Sequence, residues 1–243
     1  MLIYRPLARH LGLDQPVYAL QAQGLDGMTT PYTRVEDIAA HYVKDIRALQ
    51  PEGPYFLLGA SFGGIVVYEM ALQLRAQGQQ VALLAMLNTD CPVVSLRKRV
   101  QCHVGNLRKK GVKTYALAVF GALLGRVNAK AGAALETAAA NSELKEAIES
   151  RPDLNDPLVQ TVLANLQAEK NYVPSVKDYP GRITYFWASD AESSFDDNRL
   201  AWEKLARGGF EVHRVPGDHA TMREEPNVAV LVEKLKPALD AAT

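Results

Sequence analysis

Cysteine is scarce in this chain, with only Cys91 and Cys102 among 243 residues. Two cysteines cannot build a disulfide framework, and the paired Cys/His spacing of a zinc site is absent. A reducing, cytoplasmic setting is therefore expected. Net charge is lacking too: 27 Lys and Arg balance 27 Asp and Glu, and the pI is about 7.0. That balance argues against a globally basic nucleic-acid binder and against an acidic tail protein. No apolar run approaches the roughly 20 residues that span a bilayer; the nearest is Tyr115 to Leu124. The opening MLIYRPLARHLGL lacks the basic, apolar and small-residue regions of a secretion signal, so neither export nor membrane embedding is expected.

What is present is an ordinary globular composition, 48% hydrophobic and 22% charged, which rules out disorder and suffices for a substantial core. Leu2 to Leu11 carries apolar residues at helical spacing and is followed by Gly12. Val17 to Leu20 reads as a short buried strand after Pro16. Val35 to Gln50 reads as an amphipathic helix, Tyr55 to Leu58 as a strand, and Phe62 to Gln77 as a helix ending at Gly78. Val81 to Leu87 is a continuous apolar run of the kind buried on both faces of a parallel sheet. Arg182 to Ala188 and Phe210 to Val215 are further strands, and Val228 to Leu239 is a closing helix. Strands alternating with helices predict an α/β fold with a mostly parallel sheet flanked by helices.

Between Asp90 and about Val173 the pattern is helical. Candidate helices are Leu96 to Leu107, Thr114 to Leu124, Ser142 to Glu149 and Leu158 to Asn171, with an Ala-rich stretch from Ala129 to Ala140 among them. The tract from Pro92 to Asn128 holds no acidic residue, while Arg97, Lys98, Arg99, Arg108, Lys109, Lys110 and Lys113 cluster there. One domain over 1–243 is expected, with 91–173 as a helical insertion.

The chemistry starts at Gly59-Ala60-Ser61-Phe62-Gly63, which matches G-x-S-x-G and falls between a strand and a helix. In such a turn a serine is held in a strained backbone with its oxygen exposed, small neighbours avoid a Cβ clash, and the amide after the serine, here that of Phe62, points at an oxyanion. The competing reading, a glycine-rich turn with an incidental serine, is opposed by the strand before and the helix after. A serine hydroxyl needs a base, and the base needs a group to hold its tautomer and stabilise the imidazolium. Of five histidines, His10 and His41 lie on helices, His103 lies in the basic insertion and His213 within a strand. His219 stands in the polar loop Pro216-Gly217-Asp218-His219 directly after the last strand, where this architecture delivers its base.

These features, with the stretches YRPLARHLG, PVYALQAQGLDG, YFLLGASFGGIVVYEMALQL, YPGRITYFWAS and EVHRVPGDHATMREEPNVAVLVEKL, resemble the thioesterase domains of nonribosomal peptide and polyketide synthases, within the α/β-hydrolase superfamily. The resemblance covers nearly the whole chain. It implies an acyl or peptidyl chain passed from a carrier-protein phosphopantetheine thioester to Ser61 and released to water or to an internal nucleophile, with His219 as base and the helical insertion as lid. It implies an acyl or peptidyl carrier protein as partner, in the same polypeptide or assembly line, and no cofactor or metal of the domain's own.

The sequence departs from this pattern twice. Family members usually carry an acid after the strand that follows the nucleophile helix, as in Leu-Asp-Thr, whereas this chain has Leu87-Asn88-Thr89-Asp90. Asn88 can orient a histidine but cannot stabilise its cation by charge. Asp90, two residues on, and Asp190, just past the next strand, are the alternative acids, and Asp190 is slightly preferred because that strand end supplies the acid in other α/β hydrolases. The second departure is the expected strand and His-Pro-x-Gly-Gly-like turn ahead of the first helix, which would supply a second oxyanion amide. Two further readings stay open: a general carboxylesterase on the same fold, and a catalytically degenerate domain that docks a carrier protein. The basic lid stretch fits either carrier docking or a solvated amphipathic helix. Its lack of interleaved aromatics argues against nucleic acid.

Overall fold

The computed structural model describes residues 2–92, 156–174, 179–190 and 195–241. Three of the expected insertion helices and the basic stretch lie outside them. The described elements are a 3-10 turn at Leu2–Tyr4, α1 (Arg5–Leu11), α2 (Val35–Leu49), β1 (Tyr55–Ala60), α3 (Phe62–Ala76), β2 (Val81–Leu87), α4 (Pro157–Asn171), β3 (Ile183–Ala188), α5 (Phe195–Leu205), β4 (Phe210–Val215), a 3-10 turn at Thr221–Arg223, and α6 (Asn227–Asp240).

The four strands pair in the order β1-β2-β3-β4, all parallel. Parallel neighbours cannot be joined by a tight hairpin, so each step needs a crossover; α3 supplies it between β1 and β2, and α5 between β3 and β4. The side chains of β2 and β3 are almost entirely buried, which is why these strands read as unbroken apolar runs. One face of the sheet packs against α2, α3 and Trp202 of α5, through Val35, Ile65, Leu74, Met86, Tyr185 and their neighbours. The other face packs against Leu7 of α1 and Val228, Leu231 and Leu235 of α6. The result is a three-layer α/β arrangement.

Helix α5 was not evident in the sequence, because its first turn is acidic and polar (Phe195-Asp196-Asp197-Asn198). Its largest buried side chain is Trp202. Trp202 is fully buried, lies 5.1 Å from the ring of Tyr68, and donates its indole N–H to the Thr89 carbonyl at 3.0 Å. A buried indole needs such an acceptor, and here the acceptor belongs to the loop that leaves β2. Helix α4 agrees with the expected Leu158 to Asn171 within a residue. It is capped by the Asp156 carboxylate, which accepts from the amides of Leu158 (2.7 Å) and Val159 (3.4 Å). Just beyond it, the Tyr172 hydroxyl donates to buried Glu69 of α3 at 2.7 Å.

One expectation fails. Val17 to Leu20 forms no strand; Tyr18 is 72% exposed and Val17 40%. An apolar run becomes a strand only where a neighbour completes its ladder. Among the described residues no strand pairs with this segment or with the outer edge of β1. Among the described residues, no helix is long and apolar enough to cross a membrane.

The layers approach closely where α3 passes the end of β2. A Cβ added at Gly64 would lie 2.0 Å from Oγ1 and 2.7 Å from Cγ2 of Thr89, itself fully buried. At Gly63, the nearest atom would be 3.7 Å away. Gly64→Ala is expected to destabilise the protein by about 1–3 kcal/mol, as overpacking of a tight core contact does. Gly63→Ala is expected to be neutral or slightly stabilising through helix propensity. Urea unfolding of the two variants checks this, and equal midpoints would contradict the close approach.

Candidate active site

Because all four strands run the same way, their C-terminal ends lie along one edge of the sheet, where the residues that follow them gather. Ser61 follows β1, Asn88 follows β2, Asp190 lies just after β3 and His219 lies in the loop after β4.

Ser61 has φ +53° and ψ −127°, a conformation that costs a residue with a Cβ about 1–3 kcal/mol and persists only where the surroundings enforce it. Those surroundings are visible. The Ser61 amide donates to the Leu87 carbonyl at 2.9 Å, and the Ser61 carbonyl accepts from the Gly64 amide at 2.8 Å. The Ala60 amide on the same turn donates to the Tyr4 hydroxyl at 3.1 Å. A Cβ at Gly59 would lie 2.2 Å from the Gly63 carbonyl oxygen, so a side chain there is excluded by backbone. The demand for small residues thus falls on Gly59 and Gly64, whereas the sequence pattern suggested Gly59 and Gly63. The Phe62 amide is the first of α3, at the helix end where backbone N–H groups lack intrahelical acceptors.

The His219 loop is built around Asp218. Its Oδ1 accepts from the amides of Ala220 (2.9 Å) and Thr221 (2.8 Å) and from the Thr221 hydroxyl (2.8 Å), while the Asp218 amide donates to that hydroxyl at 2.9 Å. Below it, Arg223, 4% exposed, donates to the His219 carbonyl at 3.0 Å. Partial burial pushes the Asp218 carboxyl up. The hydrogen bonds from Thr221 and Ala220, with the His219 ring beside it, outweigh that and hold it below the usual carboxylate range.

Asn88 is hydrogen-bonded to the imidazole, its Nδ2 lying 2.7 Å from His219 Nδ1. Asn88 has φ +43°, which asparagine and aspartate tolerate better than most residues. Its Oδ1 accepts from the Ala188 amide of β3 at 3.4 Å. The two aspartates weighed from sequence are engaged elsewhere. Asp90 Oδ1 accepts from Asn198 Nδ2 at 2.7 Å, and Asn198 Oδ1 in turn accepts from the Cys91 amide at 2.8 Å, so Asp90 belongs to the joint between the β2 loop and α5. Asp190 is exposed; its carboxylate accepts from the Ser189 hydroxyl at 3.3 Å and its amide donates to Gly217 at 3.0 Å. Extended backbone would have set Asp90 beside Asn88, but the left-handed turn at Asn88 sends the next residues toward α5.

His10 pairs with Glu225 at 2.6 Å, His41 with Asp45 at 3.5 Å and His213 with Glu211 at 3.1 Å. His103 lies outside the described residues. Tyr4, Asn198 and Arg223 support the site without having been named from sequence. Only the Asp218/Thr221 pair had a signal, the Asp-x-x-Thr spacing of a side-chain-capped turn. Among the described residues no group of three or more His, Cys, Asp or Glu side chains could hold a metal ion.

The profile of the thioesterase domain family matches residues 1–239. The chain belongs to the thioesterase domain family. It is 34% identical over 232 residues to malpibaldin synthetase of Mortierella alpina, covering 94% of this chain and 4% of that protein. It is 30% identical over 247 residues to chondramide synthase of Chondromyces crocatus, covering 97% of this chain and 6% of that protein. The chain thus spans only a few per cent of these relatives' length. Among solved structures, a four-domain nonribosomal peptide synthetase matches with a TM-score of 0.69 and 25% identity over 98% of this chain and 18% of the other. The NocB thioesterase domain, crystallised as a covalent complex with a fluorophosphonate analogue, matches at 0.65 and 24%, over 98% and 88%. The fold of this thioesterase domain is that of the α/β hydrolases.

The depressed Asp218 carboxyl has a consequence for stability. A group whose folded pKa lies below its unfolded value contributes stability above the unfolded pKa and loses it as the pH falls through the folded one. Asp218→Asn is expected to lower the melting temperature at about pH 7 and to converge with the parent protein below about pH 4, where carboxyls protonate. Thermal melts across that range check this; a constant gap down to about pH 3 would contradict it.

Proposed function

We propose that this domain releases an acyl or peptidyl chain from a carrier-protein phosphopantetheine thioester through an acyl-enzyme on Ser61. The observation that carries the reading is the strained Ser61 turn, at φ +53°, on the same sheet edge as the His219 loop. In the first step the Ser61 Oγ–carbon bond forms and its proton passes to His219 Nε2, with the developing oxyanion facing the Phe62 amide. The carbon–sulfur bond then breaks and the proton leaves with the phosphopantetheine thiol. Water or a nucleophile within the chain repeats the sequence to free the product. Each step is general acid–base chemistry on one imidazole, so no metal or cofactor is invoked. Family membership and similarity to large synthetases support a carrier protein as partner, and the basic stretch Arg97 to Lys113 fits an acidic one.

A second reading, a domain that receives the carrier without turning over, is favoured by one observation. An amide, Asn88, stands against His219 where a carboxylate would stabilise the imidazolium.

Ser61→Ala is expected to abolish labelling by a fluorophosphonate and to reduce hydrolysis of an acyl thioester mimic by several orders of magnitude, with an unchanged circular dichroism spectrum. Intact-mass spectrometry reads the labelling. Undiminished thioester hydrolysis by the alanine variant would remove the acyl-enzyme mechanism.

A further inference from the structure

Ladder geometry at the end of β2 determines which end of the Asn88 amide faces the histidine. In β3 the odd residues turn their amides to β4: Ile183 donates to Gly209 at 3.0 Å and Ser189 to Val215 at 2.8 Å. The even residues turn theirs to β2, and the Asn88 amide answers by donating to the Phe186 carbonyl at 2.8 Å. The next rung of a parallel ladder would run from the Ala188 amide to the backbone carbonyl of Asn88. The backbone turns away there, at φ +43°, and the side-chain oxygen takes the carbonyl's place: Ala188 N–H points to Asn88 Oδ1 at 3.4 Å. A backbone N–H can only donate, so the group facing it has to be oxygen. The amide nitrogen is thereby left toward His219, with Nδ2 at 2.7 Å from Nδ1. Flipping the amide would set NH2 against N–H.

We infer that Asn88 holds His219 in the tautomer opposite to the one the chemistry needs, with Nδ1 as acceptor and the proton on Nε2, and so acts as a brake on this site. The inference rests on the acyl-enzyme reading above for its catalytic consequence, but the tautomer itself does not. An amide N–H donor satisfies the Nδ1 lone pair, and a neutral imidazole then carries its hydrogen on Nε2. Nε2 has no lone pair left for the Ser61 proton. To act as base the ring has to move its proton to Nδ1, losing the Asn88 bond and setting N–H against N–H. A carboxylate at the same position accepts from Nδ1–H, leaves Nε2 free and stabilises the imidazolium. In a serine protease, replacing that carboxylate by its amide lowers turnover about 10⁴-fold for this reason. Asn88 is thus a positioning residue that sets the proton on the base. Asparagine and aspartate have nearly the same shape and both tolerate the left-handed backbone, so one isosteric exchange releases the brake without disturbing the Ala188 bond.

The test joins a spectrum to a rate. Long-range 1H–15N correlation on 15N-histidine-labelled protein, above the imidazole titration, is expected to show a pyridine-type Nδ1 and a pyrrole-type Nε2 for His219 in the parent protein and the reverse in Asn88→Asp, with His219→Gln identifying the resonance. The rate of fluorophosphonate labelling of Ser61 is expected to rise about 10³–10⁴-fold in Asn88→Asp. In that reaction the Ser61 oxygen–phosphorus bond forms, fluoride leaves, and His219 takes the hydroxyl proton. A pyrrole-type Nδ1 in the parent protein overturns the inference whatever the rates are. A labelling rate within a few-fold of the parent's in Asn88→Asp overturns the brake. No labelling of either protein, with the expected spectrum, would sink the acyl-enzyme reading and leave the tautomer supported.

Discussion

Two adjacent backbone groups at the end of β2 hold the candidate site together. The Leu87 carbonyl receives the Ser61 amide on one side, and the Asn88 amide reaches the Phe186 carbonyl on the other. Through these bonds the strained serine turn is registered against β2, β2 against β3, and the Asn88 side chain against the His219 loop. Elsewhere a backbone hydrogen bond contributes only about 1 kcal/mol net. Here such bonds set the relative position of side chains that lie far apart in the chain. The loop that follows is correspondingly well anchored: the Thr89 carbonyl accepts from both Tyr185 (2.7 Å) and Trp202 (3.0 Å), and Thr89 packs into the space that Gly64 leaves open.

That anchoring explains why an aspartate nearby in sequence does not substitute for the amide. Asp90 is two residues from Asn88, yet the left-handed turn and the buried Asn198 bridge direct its carboxylate to α5. The Asp218 carboxylate, next to His219 in the chain, has its Oδ1 occupied by three donors that shape the turn. Ser61, His219 and Asn88 thus stand after β1, β4 and β2 as the proposed roles of nucleophile, base and orienting partner require, with the partner's charge removed. Position and charge are separable properties in such a site: a hydrogen bond to Nδ1 fixes where the ring lies, while the donor or acceptor character of the bonding atom fixes which nitrogen is basic.

Some of this was readable before any coordinates. The alternation of apolar runs and amphipathic segments predicted the parallel sheet, and continuous runs such as Val81 to Leu87 marked strands buried on both faces. G-x-S-x-G between a strand and a helix pointed to the Ser61 turn, and a polar loop after the last strand pointed to His219. Other features left no periodic signal. Helix α5 begins with polar residues and is held chiefly by buried Trp202 and by the Asn198 bridge to the β2 loop. The run Val17 to Leu20 has a strand's composition but no ladder partner among the described residues, and pairing is not encoded in the run itself. Gly64, not Gly63, sits against Thr89, which depends on how α3 is rotated over β2.

The sequence alone thus determined the fold class, the thioesterase resemblance, and which residue types could supply nucleophile and base, because these follow from local periodicity and short motifs. It also showed that the expected acid position holds an amide. Only the tertiary structure decided which of Asn88, Asp90 and Asp190 meets His219, and with which atom. That choice is made by a hydrogen bond between residues 131 apart in the chain and by a ladder rung completed across two strands, neither of which has a local trace in sequence.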